Sequence, residues 1–114
     1  MKKIACLLYP NFSLYEIAPL TSALVLNFGR KIDFIASTTE TIYSEDGLPC
    51  HANKILEEVN IEEYDCILCP GTIDFTPAVR DECLIRFLAG LDGKSIKIAA
   101  ISSAPILLAK AGLL

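Results

Sequence analysis

The chain has no tryptophan, one methionine and one histidine. A single histidine removes the usual nitrogen ligand set of a zinc centre, and no second cysteine pair exists to replace it. No metal is expected, and no motif calls for a cofactor. Basic blocks are also missing. Ten Lys and Arg face fourteen Asp and Glu, for a net charge of −4, which argues against nucleic acid as a partner. No apolar run approaches the roughly 20 residues that span a bilayer, so no membrane role is expected. The opening Met1-Lys2-Lys3 and the short apolar stretch after it lack a small-residue cleavage site and read as a first strand, not a signal peptide. Repeats, low-complexity tracts and linkers are absent.

Five cysteines make an odd count with irregular spacing. That is no disulfide framework, and it points to reduced thiols and a cytoplasmic location. Cys66 and Cys69 form a C-x-x-C, but on an apparent strand, where positions three apart point to opposite faces. A dithiol redox site is not expected there. Cys69 precedes Pro70 at a strand end, and burial as a small hydrophobe is the expected role.

What the chain has is apolar material. It is 53% hydrophobic over 114 residues, with a mean hydropathy of +0.46. That suffices for one domain and exceeds what a small two-layer domain needs. A sheet covered on both faces, or an oligomer, accounts for the excess. Strand and helix signals alternate. Strands are expected at Lys3–Tyr9, Lys31–Ser37, Tyr64–Cys69 and Lys97–Ile101. A short strand at Thr41–Ser44 turns at Asp46-Gly47 and pairs with Leu48–Ala52. Glu57–Glu63 reads as polar connection.

Helices are expected over Leu14–Phe28, Pro77–Leu91 and Ser103–Ala111. The first restarts at Pro19, faces inward with Leu20, Ala23, Leu24 and Asn27, and ends at Gly29. The second is capped by Thr76. Apolar strands separated by helices imply a parallel sheet. The fold class is α/β, a three-layer doubly wound, mostly parallel sheet with helices on both faces, in a flavodoxin-like arrangement. Ligands in such folds sit at the carboxyl ends of the strands. Three loops lie there: Pro10–Glu16, Pro70–Thr72 and Ser102–Pro105. The last is an apolar strand breaking sharply at two serines before a helix, the pattern of a nucleophile elbow.

At those loops the chain resembles the ThiJ/PfpI family, within the class I glutamine amidotransferase-like superfamily. Three pieces carry the resemblance. Leu8-Tyr-Pro-Asn-Phe-Ser-Leu-Tyr-Glu16-Ile-Ala-Pro19 is similar to the family's opening strand, acidic residue and helix. Glu63-Tyr-Asp-Cys-Ile-Leu-Cys-Pro70-Gly71-Thr72 is similar to its YD-apolar-PGG strand and loop, with Thr72 at the second glycine. Ile98-Ala-Ala-Ile-Ser102-Ser103-Ala-Pro105 and the helix after it resemble its elbow. The family's nucleophile is usually cysteine, and Ser102 stands at that position. Members are also longer, so the resemblance implies a single domain over 1–114 that lacks the family's C-terminal part, where a histidine often lies.

The resemblance implies catalytic roles for Ser102 and Glu16, with Gly71, Thr72 and Ser103 supplying backbone donors for an oxyanion or ligand. The local sequence offers plainer readings beside these. Ser102 fits a cap for the last helix, bonding the N–H of Ala104 or Ile106. Ser13-x-x-Glu16 fits a capping box. His51, on the hairpin, is expected at the surface or at a dimer contact, and Tyr9 and Asn11 at the mouth of the cleft. The expected function is a hydrolase, amidase or glyoxalase-type enzyme on a small carbonyl or amide substrate. The alternative is a non-catalytic binder, sensor or stress protein of the chaperone kind. The expected partners are that small molecule and, from the family's habit, a second copy in a homodimer.

Overall fold

The computed structural model describes residues 2–114. Its main sheet is built from β1 (Lys3–Leu7), β2 (Ile32–Ala36), β5 (Lys54–Ile55), β6 (Tyr64–Cys69) and β7 (Lys97–Ala100), in the order β5-β2-β1-β6-β7. Every neighbouring pair is parallel. The central strands explain why these segments read as unbroken apolar runs: Cys6, Leu7, Ile35, Ile67 and Cys69 are all fully buried. A strand covered on both sides has no solvent face on which to place polar residues.

The chain moves outward from β1 to β2 and then, after β6, the other way to β7. Right-handed crossovers therefore put the connecting helices on opposite faces. Helix α1 (Leu14–Leu26) covers one face; α2 (Thr76–Val79), α3 (Glu82–Ala89) and α4 (Pro105–Lys110) pack together on the other. The doubly wound α/β architecture expected from the alternation is thus present. A separate hairpin, β3 (Ile42–Tyr43) with β4 (Pro49–Cys50), is antiparallel as expected. Among the described residues no helix is long and apolar enough to cross a membrane.

Several local expectations are corrected. Helix α1 runs unbroken through Pro19. At its sixth position Pro19 removes one N–H donor, and the helix continues past it to Leu26. The inward residues are Leu14, Ile17, Thr21 and Leu24, while Leu20 and Asn27 are exposed. Nearly every position of this helix is apolar, so periodicity alone does not choose a face.

The helix expected over Pro77–Leu91 is two helices. Asp81 leaves the helical conformation and accepts the Leu84 N–H as the N-cap of α3. Thr76 caps nothing; its N–H is instead bonded by the Asp74 carboxylate at 2.9 Å. The stretch read as polar connection is formed by two single turns of 3-10 helix, Leu56–Glu58 and Ile61–Glu63, and the edge strand β5 lies just before it.

At the amino end of the sheet, Asp33 gathers four polar partners, three of them on other strands. It accepts from Tyr64 Oη at 2.6 Å and Asn53 Nδ2 at 3.0 Å, and lies 3.0 Å from Lys3 Nζ and 3.7 Å from Lys54 Nζ. Burial alone would raise its pKa, but these partners outweigh it and hold the carboxyl down to about 2.

Candidate functional site at the serine elbow

Three loops at the carboxyl ends of the strands are laced together by backbone bonds. Phe12 bridges Ser44 on one side and Thr72 on the other. Ser13 N–H donates to the Gly71 carbonyl at 2.8 Å, and Glu45 N–H to the Phe12 carbonyl at 2.8 Å. Asn11 makes this possible by taking a φ of 67°, a left-handed conformation that asparagine tolerates better than most residues. Its N–H reaches the Tyr43 carbonyl at 2.9 Å. Tyr9, fully inside, donates its hydroxyl to the Pro70 carbonyl and ties the loop after β1 to the loop after β6. Burial, with a further push from the neighbouring thiols, drives the Tyr9 phenol pKa far upward, so it stays a neutral donor.

The elbow itself follows β7. Ser102 is exposed and has a φ of 58°. A left-handed non-glycine residue costs of order 1–3 kcal/mol and persists only where the surroundings enforce it. Here the Ile101 N–H is held by the Cys69 carbonyl at 2.9 Å on one side, and the turn closes through Ala104 N–H to the Ile101 carbonyl at 3.0 Å on the other. The capping reading of Ser102 does not hold. The N-cap of α4 is Ala104, without any side-chain bond, and the Ile106 N–H goes to the Ser103 carbonyl at 3.1 Å. Ser102 is left to line the recess described below.

Glu16 resolves in the same direction. Ser13 is the N-cap of α1, but no side-chain cap bond forms, so the capping box is absent. The Glu16 carboxylate instead accepts the Gly71 N–H at 3.1 Å. Gly71 is buried, and a Cβ placed there would collide with Glu16 Oε1 and stand 3.2 Å from Ser102 Cβ. Glu16, Gly71 and Ser102 therefore crowd one point, which is why the loop takes glycine.

Around that point lies an open recess of about 250 Å³, lined by Ser13, Glu16, Glu45, Thr72, Ile73, Ser102 and Ser103. It unites the elbow, Glu16 and the second loop. Glu45 was not legible as a site residue. It sits in an ordinary-looking turn, and only the Phe12–Ser44 bridge brings it over the elbow. Tyr9 and Asn11 lie elsewhere than expected, on a separate recess of about 360 Å³ with Ser37, Thr41, Tyr43 and Asp81. His51 is exposed on the hairpin, 3.0 Å from Thr41 Oγ1, and lines a third, apolar recess. Cys69 is fully buried, and burial, reinforced by Cys66, pushes its thiol up to about 12. Among the described residues no cluster of His, Cys, Asp and Glu is arranged to hold a metal.

No curated protein matches the chain in sequence. Solved structures do match. A DJ-1 superfamily protein from Agrobacterium tumefaciens superposes with a TM-score of 0.86 at 20% identity, over 99% of this chain and 60% of its own. A cysteine-to-alanine mutant of a DJ-1 superfamily protein from Salmonella typhimurium gives 0.80 at 26% identity, over 100% and 63%. Oxidized DJ-1 from Toxoplasma gondii gives 0.82 at 24% identity, over 100% and 63%. The chain thus spans less than two thirds of the length of these relatives. The sequence profile of the DJ-1/PfpI family matches residues 2–114, nearly the whole chain, and the chain belongs to that family.

Proposed function

We propose that the elbow recess binds a small carbonyl or amide compound and acts on it, with Ser102 as the attacking group and Glu16 as the proton carrier. The observation that carries this is the exposed left-handed Ser102 set against the Glu16 carboxylate across Gly71. Strain of that kind gathers where a side chain must be presented rather than packed. In the proposed step the Ser102 oxygen bonds to the carbonyl carbon, the C=O π bond opens, and the hydroxyl proton passes to Glu16. For an amide, Glu16 then returns it to the departing amine, leaving an acyl ester on Ser102 that water hydrolyses, its proton passing by way of Glu16 back to the Ser102 oxygen; for an aldehyde, the proton returns to the oxygen of the adduct. The N–H groups of Ser103 and Thr72 are the donors assigned to the oxyanion, since that of Gly71 is engaged by Glu16.

A second reading has its own support. A serine hydroxyl needs a base, no histidine lines the recess, and Glu16 already accepts a hydrogen bond. On that reading the elbow binds a small molecule without turning it over, as a sensor or stress protein would. The parent protein, Ser102→Ala and Ser102→Cys, assayed with methylglyoxal and with an activated anilide, separate the two. Parent turnover lost in Ser102→Ala supports the enzyme. Activity present only in Ser102→Cys leaves the binder.

A second copy of the chain is the proposed macromolecular partner, at the outer face of α1. Tyr15 and Leu26 there are 86% and 80% exposed, and residues 11 apart share a helix face. Light scattering on the parent and on Leu26→Glu tests this; a parent that is monomeric at all concentrations rejects it.

A further inference from the structure

The carboxyl end of the sheet carries charge of one sign, while the amino end mixes both. The segments at the carboxyl ends of the strands, residues 8–16, 37–48, 70–76 and 101–104, contain Glu16, Glu40, Glu45, Asp46 and Asp74 and not a single Lys or Arg. The basic residues begin the strands instead. Lys2 and Lys3 lead β1, Arg30 and Lys31 lead β2, and Lys97 opens β7. Several are already engaged there: Lys3 with Asp33 and Glu63 at 3.0 and 3.5 Å, Arg30 with Asp65 at 2.7 Å. The recess at the elbow thus faces two carboxylates, Glu16 and Glu45, with no cation beside them.

Those two carboxylates differ. Glu16 is committed to the Gly71 N–H. Glu45 makes no ion pair among the described residues, and its backbone is fixed in place. Its N–H is on the Phe12 carbonyl at 2.8 Å. The buried Ser44 beside it bonds the Asp46 carboxylate and takes the Leu48 N–H at 2.9 Å, locking the turn. A free carboxylate held over a recess whose walls share its sign concentrates cations and repels anions.

We propose that the elbow recess selects a positively charged substrate, one that carries an ammonium or guanidinium group near its carbonyl or amide, and that Glu45 is the residue that reads the charge. The inference rests on the elbow recess being the binding site of the protein. Anionic carbonyl compounds, such as 2-oxo acids, are disfavoured by the same field. A carboxylate–cation contact near 4 Å in a water-exposed site contributes a factor of about five in affinity, and salt weakens it.

The test uses three small amides of similar size: 4-aminobutanamide, pentanamide and succinamate, which are cationic, neutral and anionic at pH 7. Their dissociation constants are measured by NMR titration at low ionic strength, and ammonia release is followed in the same samples. The cation is expected to bind about fivefold more tightly than the neutral amide, and the anion more weakly than either. Glu45→Gln is expected to remove most of the advantage and Glu45→Lys to reverse the order, while the remote control Glu57→Gln keeps it. Equal affinities, preference for succinamate, no binding of any amide, or an order unaffected at Glu45 each overturn the inference. The two readings fail separately. A cation preference without ammonia release leaves the selectivity standing and removes amide hydrolysis; ammonia release with flat affinities does the opposite.

Discussion

Glu16 and Gly71 are 55 residues apart in the chain, yet the Glu16 carboxylate accepts the Gly71 N–H at 3.1 Å. The contact joins the first turn of α1 to the loop after β6 and sets the floor of the recess under Ser102. Because Glu16 Oε1 occupies the space a side chain at 71 would need, the loop has no tolerance there. Gly71→Ala is expected to displace Glu16, to destabilise the protein by about 1–3 kcal/mol as overpacking does, and to abolish ligand binding at the elbow. Thermal melts and the amide titration together check this.

Ser102 carries the opposite sign. Its φ of 58° is unfavourable for any residue with a Cβ, whereas glycine adopts it without strain. Relief of about 1–3 kcal/mol is partly offset by the greater freedom of glycine in the unfolded chain, about 0.5–1 kcal/mol. Ser102→Gly is therefore expected to raise stability by roughly 1 kcal/mol while removing the function of the elbow. A melt showing Ser102→Gly less stable than the parent would contradict the strain.

Acid stability follows from Asp33. Its carboxyl is held at about 2 in the fold, below the 3.8 of an ordinary aspartate. The unfolded chain therefore binds this proton first as pH falls. The Asp33 contribution is complete above about pH 4 and is lost on descent to about pH 2. Asp33→Asn is expected to be less stable at pH 7, because Lys3, Lys54 and Tyr64 lose a charged partner. It is also expected to have a shallower decline over that acid window. Urea midpoints between pH 2 and pH 7 give the comparison.

Thiol chemistry is expected to be slow at the core. Burial, and the neighbouring Cys69, push Cys6 up to about 12; burial and Cys66 do the same for Cys69. The thiolate is the reactive species. At pH 8, iodoacetamide should label Cys50 and Cys83, which are half-exposed, well before Cys6 and Cys69. The last two should react at the rate of unfolding, as read by mass spectrometry over time.

Asp81 ends one helix connection and begins another. Asp81→Ala removes the cap on the Leu84 N–H and the partner of the Ser37 hydroxyl. A loss of about 1–2 kcal/mol is expected, read as a lower melting temperature. The elbow should keep its ligand affinity, since Asp81 lines the other recess.

The alternation of strands and helices was open to reading because the buried strands have no polar face to confuse the pattern; Cys6, Leu7, Ile35 and Ile67 are apolar for that reason. Helix α1 resisted for the same reason in reverse, since its apolar residues surround the axis. The break at Asp81 is hidden in the sequence, because an aspartate inside a helical pattern and an aspartate capping a new helix look alike until the backbone turns. At the site, Ser102 and Glu16 each had a local reading as a cap. Neither cap forms, and the difference lies in contacts with residues far along the chain.

What the sequence by itself determined is the α/β alternation, the elbow after the last strand and its kinship with the DJ-1/PfpI family, because these are written in local runs and spacings. Tertiary structure decided the contents of the recess. Glu45 enters it only because Phe12 is bridged to both Ser44 and Thr72. Glu16 turns from its own helix to Gly71 only because that loop presents an N–H there. Contacts of this kind follow from parallel strands set side by side, and no local pattern encodes them.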